Sequence, residues 1–129
     1  MKKILIVGNA ANKSSSSYNQ RRIIKKNFES VGAKKVHIIE LKPENLKVIL
    51  KYDILYVMGG QIQELIYLIN KTDFKKYLYE FIKKGVYIGE SAGSIVLEDD
   101  TRWYFDLKRG SKDKYSLQLD TYKGLSLSK

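Results

Sequence analysis

A serine between two glycines is the residue of this sequence best suited to act as a nucleophile. Residues 89–93 read Gly-Glu-Ser-Ala-Gly, which is the pattern G-x-S-x-G. The apolar run 86–88 before it predicts a buried strand, and the residues after it predict the start of a helix. In a strand–turn–helix setting the hydroxyl of Ser91 stands above the end of a sheet, and Gly89 and Gly93 give the tight turn the space that it needs. Ser91 is therefore the candidate nucleophile.

The turn that carries Ser91 would also supply part of an oxyanion hole. In this geometry the amide of Ala92 points to the place where a substrate carbonyl oxygen would become negatively charged, and the new helix would add the positive end of its dipole. The same residues also fit an ordinary glycine-rich strand-to-helix turn in which Ser91 is the N-cap. Both interpretations remain open on this segment alone.

Two adjacent glycines follow the preceding predicted strand. The apolar run 54–58 ends at Gly59, Gly60 and Gln61, and a helix with an apolar face follows at once. Adjacent glycines at the carboxyl end of a buried strand allow the backbone to approach a ligand, although a plain tight turn would use them equally well. Since ligand sites of parallel sheets lie at the carboxyl ends of strands, the two glycines and Ser91 could meet across one crevice.

The elements that must position these residues alternate between strand and helix. Strands are predicted at 3–7, 36–41, 54–58 and 86–88. Helices are predicted at 18–31, from 43 to about 50, after 61, and from 74 to 82. Such alternation predicts an α/β fold, a three-layer αβα sandwich with a mostly parallel sheet covered on both faces.

Other segments carry more specific predictions. The helix 18–31 should bury one face, made of Ile23, Ile24, Phe28 and Val31. The polar loop 8–17 after the first strand lacks both of the common phosphate-binding patterns. In the last third of the chain, residues 103–105 and 115–119 predict two further strands joined by a polar loop.

The size and composition predict one globular domain over 1–129. The chain has 129 residues, 43% of them hydrophobic, and no cysteine, which excludes a disulfide framework. The apolar run 4–7 is too short for a signal peptide, and no run approaches the roughly 20 residues that cross a bilayer. We therefore expect a cytoplasmic protein with no membrane partner.

The net charge of +10 raises the question of nucleic-acid binding. Pairs of lysines are spread along the chain, at 2–3, 25–26, 34–35, 75–76 and 83–84. Arginine, the usual residue for bidentate phosphate contacts, is much rarer than lysine in this sequence. The pattern favours a solvated, lysine-rich surface, so no nucleic-acid partner is expected.

A general base for Ser91 is harder to assign. His37, the only histidine, lies within the second predicted strand, where alternation places it on a sheet face and not at a carboxyl end. Glu90 should be turned away from Ser91 by the elbow, and Asp99 and Asp100 fall in a polar loop after the elbow helix. One histidine and no cysteine also predict that the chain holds no metal and no cofactor.

Two stretches together resemble a known family. Residues 56–65, Y-V-M-G-G-Q-I-Q-E-L, and residues 85–97, G-V-Y-I-G-E-S-A-G-S-I-V-L, resemble the dipeptidase E family of serine peptidases, which includes aspartyl dipeptidases and, more distantly, cyanophycinases. That family has a Gly-Gly-Gly-Asn-type loop ahead of a Gly-x-Ser-Ala-Gly elbow, on a fold similar to class I glutamine amidotransferases. Residues 120–127 resemble its Asp…Gly-Leu-Gly-Leu segment, so the resemblance extends over most of the chain.

The resemblance implies roles for particular residues. Ser91 would be the nucleophile, the N–H of Ala92 one oxyanion donor, and Gly59 or Gly60 the other. Gln61 stands where the family usually has asparagine and is a possible substrate-loop residue. In the family a catalytic histidine follows the Gly-Leu-Gly-Leu segment, with an acidic partner further on. This sequence stops before either position, so we expect a member that lacks the C-terminal portion.

Three functions are therefore compatible with the sequence. The first is a serine peptidase of the dipeptidase E type that hydrolyses small peptides through a Ser91 acyl-enzyme, as a shortened chain or completed by residues of another chain. The second is a catalytically inactive relative that binds small peptides or carboxylates. The third, less favoured, is a basic nucleic-acid-binding protein. Because a chain that ends after two more strands would leave an apolar edge, we also expect a homo-oligomer.

Overall fold

Four parallel strands form the centre of the computed structural model, which describes residues 2–11, 15–107 and 121–127. The strands are β1 (Lys3–Val7), β2 (Lys35–Ile39), β3 (Ile54–Val57) and β4 (Val86–Gly89). They lie side by side in the order β2-β1-β3-β4, and each neighbouring pair is parallel. All four predicted strands are confirmed, although β2 and β3 end slightly earlier than predicted.

Helices connect the strands and follow the last of them. They are α1 (Ser15–Ser30), a 3-10 helix (Leu46–Lys51), α2 (Ile62–Lys71), α3 (Phe74–Phe81), α4 (Ala92–Ile95) and α5 (Arg102–Leu107). The alternation confirms the predicted α/β fold and is consistent with a three-layer sandwich. Within the described ranges, no helix is both long and apolar enough to cross a bilayer.

The sheet separates two apolar cores. The larger core lies between the sheet and the helices that follow β3, and its fully buried side chains include Leu5, Leu55, Phe74 and Leu78. The smaller core lies on the opposite face, where side chains of α1 cover Ile4, Ile6, Val36 and Met58. The connections after β1 and β3 thus leave the sheet towards opposite faces. The carboxyl ends of these two adjacent strands form a topological switch point, which is where α/β sheets bind ligands.

Helix α1 buries a narrower face than predicted. Ile24 and Phe28, one helical turn apart, pack against the smaller core. Ile23 is 57% exposed and Val31 is 81% exposed, so the prediction was wrong for these two residues. Ile23 lies about 100° around the helix from Ile24, and Val31 follows the last helical residue, so neither faces the sheet.

The stretch Trp103–Phe105, predicted as a strand, lies instead in α5. Its three aromatic residues have high strand propensity, but local hydrogen bonds start a helix: Asp100 Oδ1 accepts the amide of Arg102, and the carbonyl of Thr101 accepts that of Tyr104. The Phe105 ring then packs 5.0 Å from the ring of Tyr122. The other predicted strand, 115–119, lies outside the described residues.

Residues 121–127 run back against the end of α4. The amides of Leu125 and Leu127 donate to the carbonyls of Val96 and Leu97, at 2.6 and 2.8 Å. Leu125 is completely buried, and its carbonyl accepts the hydroxyl of Tyr79. The chain that leaves α4 thus pairs with residues 125 and 127 and does not continue as a helix.

Candidate active site

Ser91 has an unusual backbone conformation at the junction of β4 and α4. Its φ is 52° and its ψ is −110°, and Ser126 is the only other non-glycine residue in the described ranges with a positive φ. Such a conformation costs on the order of 1–3 kcal/mol and persists only where the surroundings enforce it. The Ser91 side chain is exposed and does not cap α4. The sharp strand–turn–helix predicted for the nucleophile is therefore present.

The glycines on either side of Ser91 allow α4 to approach the sheet. A Cβ atom at Gly89 would lie 2.4 Å from the carbonyl oxygen of Gly93, and one at Gly93 would lie 2.3 Å from that of Val57. Both distances are far below any real Cβ contact. The G-x-S-x-G spacing thus follows from close packing within the turn, between Gly89 and Gly93, and from packing of Gly93 against β3.

The structure brings the Gly59-Gly60 turn and Ser91 together. A Cβ atom at Gly59 would lie 2.8 Å from the Cβ of Ser91 and 3.5 Å from its Oγ. Gly60 has a φ of +136°, and a Cβ there would lie only 1.9 Å from the carbonyl oxygen of Ala10. Both glycines are therefore required by close approach, one to the candidate nucleophile and one to the loop after β1.

Two backbone amides beside Ser91 are available to a ligand. The amide of Ala92 is the first of α4, where no intrahelical acceptor exists. In the part of the chain that the structure describes, neither this amide nor that of Gly60 donates to a protein acceptor. Because α4 has only four residues, the helix dipole adds less than predicted. These two amides are therefore the candidate donors of an oxyanion hole.

Gln61 connects its loop to the loop after β1 through its backbone. Its amide donates to the carbonyl of Ala10 at 2.6 Å, and the residue precedes α2 without capping it through its side chain. Sequence reasoning treated the loop after β1 only as a polar loop and missed Ala10. The signal for this contact was Gly8, a glycine directly after the buried strand β1. It resembles Gly59, which comes shortly after β3, and indicates a second tight turn at the same edge of the sheet.

Glu90 is held on the side of the sheet that α1 covers. Its Oε2 accepts the hydroxyl of Tyr56 at 2.5 Å, and the Tyr56 ring packs 5.7 Å from that of Phe28. Burial, together with the hydrogen bond and the negative charge of Glu90, raises the pKa of Tyr56 to about 12. The carboxylate of Glu90 is thus occupied away from the Ser91 hydroxyl.

His37 lies far from Ser91. Its Nδ1 is 2.7 Å from the hydroxyl of Tyr52, and its ring packs edge-on against the Tyr52 ring. Three inter-strand spacings separate β2 from β4, which is about 14 Å. Within residues 2–11, 15–107 and 121–127, no group forms a hydrogen bond with the Ser91 Oγ.

The acidic residues after α4 have structural contacts. Asp100 caps α5 through its carboxylate, and the carbonyl of Asp99 accepts the amide of Gly124 at 3.0 Å. In the described ranges no three potential metal ligands lie close enough to hold an ion.

Comparison with known proteins identifies the family. The family model of Peptidase family S51 matches residues 1–128. A candidate peptidase E protein from Listeria monocytogenes EGD-e has a similar crystal structure, with a TM-score of 0.76 and 24% identity over 98% of this chain. A peptidase from an acI-B1 Actinobacterium is similar over 76% of this chain, with a TM-score of 0.62 and 22% identity. No curated protein sequence matches the chain.

The two solved proteins are longer than this chain. The similarity covers 63% of the Listeria protein and 43% of the actinobacterial one. At these identities the likeness concerns the fold, whereas the family match extends over almost the whole sequence. That match confirms the resemblance to dipeptidase E, and the protein belongs to peptidase family S51.

Proposed function

We propose that this protein is a serine peptidase of the dipeptidase E type, which hydrolyses small peptides through an acyl-enzyme on Ser91. The observation that carries the proposal is the backbone of Ser91, whose φ of 52° presents an exposed hydroxyl at the end of β4. A plain capping serine would bond to its own helix, and Ser91 does not.

The reaction would proceed in two steps. The Ser91 Oγ attacks the scissile carbonyl carbon and loses its proton to a base, the C–N bond breaks, and the amine leaves with a proton. Water then hydrolyses the ester on Ser91. The amides of Ala92 and of Gly60 or Gly59 would stabilise the oxyanion of each tetrahedral intermediate, and one such donor contributes roughly 2.7–4 kcal/mol in serine peptidases.

The proposal requires a general base, and no described group forms a hydrogen bond with the Ser91 Oγ. His37 is bonded to Tyr52, and Glu90 to Tyr56. The base would therefore come from a part of the protein outside the described ranges or from a second copy in a homo-oligomer. We place the protein in the cytoplasm on the sequence features given above, with small peptides as its substrates.

A second candidate is a binding module for small peptides or carboxylates. It is favoured by one observation, that no described group forms a hydrogen bond with the Ser91 Oγ. A serine without a base is a weak nucleophile near neutral pH. The N–H groups of Ala92 and Gly60, which have no protein acceptor among the described residues, would still attract an anion whether or not the serine reacts.

A fluorophosphonate probe separates the two functions. If the protein is a peptidase, the probe should label Ser91 at a rate typical of serine hydrolases, and the protein should cleave aspartyl dipeptides. Ser91→Ala is the control and should abolish labelling. If wild-type protein is not labelled but binds acetate or a dipeptide, with shifts of the Ala92 and Gly60 amide resonances in NMR spectra, the binding module is correct. Absence of both labelling and binding would refute both functions.

A further inference from the structure

We propose that Arg21 is a positioning residue for the candidate oxyanion hole, because its guanidinium fixes the turn that sets the peptide of Gly60. The proposal rests on the proposed function in so far as it takes the Gly60 amide to be an oxyanion donor. Arg21 lies in the second turn of α1, away from Ser91 in sequence, and no pattern around it indicates a role in the site.

Arg21 contacts the loop after β1. The Nη2 group of Arg21 donates to the carbonyls of Gly8 and Ala11, at 3.1 and 3.3 Å. The amide of Ala11 also donates to the carbonyl of Gly8 at 3.1 Å, which closes a four-residue turn. The guanidinium is always charged, so both of its hydrogen bonds are charge-assisted. Arg21 therefore clamps both ends of this turn.

The turn held by Arg21 contacts the loop that contains Gly59 and Gly60. Ala10, inside the clamped turn, accepts the amide of Gln61 at 2.6 Å. Gly60 lies against the same carbonyl, since a Cβ there would be 1.9 Å from it. The hydrogen bond and the close contact together fix the orientation of the peptides on either side of Gly60. The opposite side of the turn is held as well, since the Asn9 side chain bonds both the amide and the carbonyl of Leu41.

The Gly59-Gly60 loop in its turn lies against Ser91. Gly59 lies beside Ser91, since a Cβ added at Gly59 would be 2.8 Å from the Ser91 Cβ, so a displacement of the Gly59-Gly60 peptides would change the distance between the second donor and the nucleophile. An oxyanion hole stabilises charge only when its donors are aimed at the oxyanion in advance. The chain of contacts thus runs from Arg21 through Ala10 to the donor.

Amide hydrogen exchange tests this chain of contacts directly. Arg21→Gln should accelerate exchange of the Gln61 amide at least tenfold, since its acceptor on Ala10 is no longer held. The Glu90 amide, which donates to the carbonyl of Val57 in the sheet, reports general destabilisation and should change less than twofold. Arg22→Gln, at the exposed neighbouring position, is the matched control and should leave both amides unchanged.

Gly8→Ala gives a second variant that keeps the charge. A Cβ at Gly8 would lie 2.9 Å from the Arg21 Nε, so it displaces the flexible end of that side chain, and Gly8 has no positive φ that would oppose alanine. It should accelerate exchange of Gln61 as Arg21→Gln does. If wild-type protein is labelled by fluorophosphonate, both variants should also lower the labelling rate at least fivefold without loss of folded protein.

The outcomes are distinct. Selective acceleration at Gln61 in both variants supports the positioning role, even if wild-type Ser91 proves unreactive and the proposed peptidase activity fails. Unchanged exchange at Gln61, or equal acceleration at Gln61 and Glu90, overturns it. A labelled wild type whose labelling rate is unaffected in both variants also overturns it.

Discussion

Gly59 lies opposite Ser91 because the two residues come two positions after Val57 and Gly89, which are partners in the register of β3 and β4. Val57 of β3 pairs with Gly89 of β4 in the parallel sheet, and both chains continue for two residues before they turn. The hydrogen bond from the Glu90 amide to the carbonyl of Val57, at 3.0 Å, extends the pairing by one residue. The register of two strands therefore sets the distance between the glycine loop and the candidate nucleophile.

The strain at Ser91 should be measurable as stability. Ser91→Gly relieves the positive φ, whereas Ser91→Ala removes the same hydroxyl and keeps the strain. Strain of about 1–3 kcal/mol, less the extra backbone entropy of glycine of roughly 0.5–1 kcal/mol, should make the glycine variant more stable by roughly 1 kcal/mol. Urea unfolding of the two variants provides the measurement. Equal stability would mean that the turn does not strain the serine.

The close contact at Gly60 should make substitution by alanine far more destabilising there than at Gly32, another glycine with a positive φ. Gly32, with a φ of +100°, has no atom within 4 Å of an added Cβ, so Gly32→Ala should cost only the conformational term of roughly 1–2 kcal/mol. Gly60→Ala adds the collision with Ala10 and should cost roughly 1–3 kcal/mol more. Denaturant midpoints compare the two variants. Similar losses for both would remove the argument that Gly60 is fixed by contact with the loop after β1.

The burial of Tyr56, together with its hydrogen bond to Glu90, predicts a loss of stability at high pH. The pKa of Tyr56 is raised to about 12 in the folded protein, above the value of about 10 expected when unfolded. The folded state thus binds more protons between these values, so this stabilisation is complete below about pH 10 and is lost as the pH rises towards 12. Tyr56→Phe should reduce the slope of stability against pH in that window. Tyr67→Phe, at an exposed position, is the control, and an unchanged slope in Tyr56→Phe would contradict the prediction.

Replacement of Ser126 by glycine should make the folded protein more stable. Ser126 has a φ of 55°, in the left-handed region that favours glycine. A left-handed conformation costs a non-glycine residue roughly 1–2 kcal/mol, which exceeds the entropic cost of glycine, so Ser126→Gly should raise the melting temperature by a few degrees. Ser94→Gly, in α4, should lower it instead. A lower melting temperature for Ser126→Gly would show that the Ser126 side chain contributes more than its backbone costs.

Some of the site could be predicted because its signals are local. Glycines two residues either side of Ser91, directly after an apolar run, predicted the strained turn that the structure contains. The pair Gly59-Gly60 was predicted from the same kind of signal at the preceding strand. Strand propensity and the spacing of apolar residues predicted all four strands, since a buried parallel strand needs a continuous apolar run whatever its neighbours are.

Other features depended on contacts between distant segments, which sequence patterns do not contain. The aromatic run 103–105 became helical because Asp100 caps that helix and Tyr122, far along the chain, packs on Phe105. The chain beyond the one-turn helix α4 pairs with residues 125 and 127, whose amides donate to the carbonyls of Val96 and Leu97. Arg21 reaches the site only because α1 folds back over β1, which brings its guanidinium to Gly8. The sequence alone determined which residues are small enough for the tight turns. The tertiary structure decided which backbone groups each of them contacts, because hydrogen bonds between distant segments form only when the whole sheet is assembled.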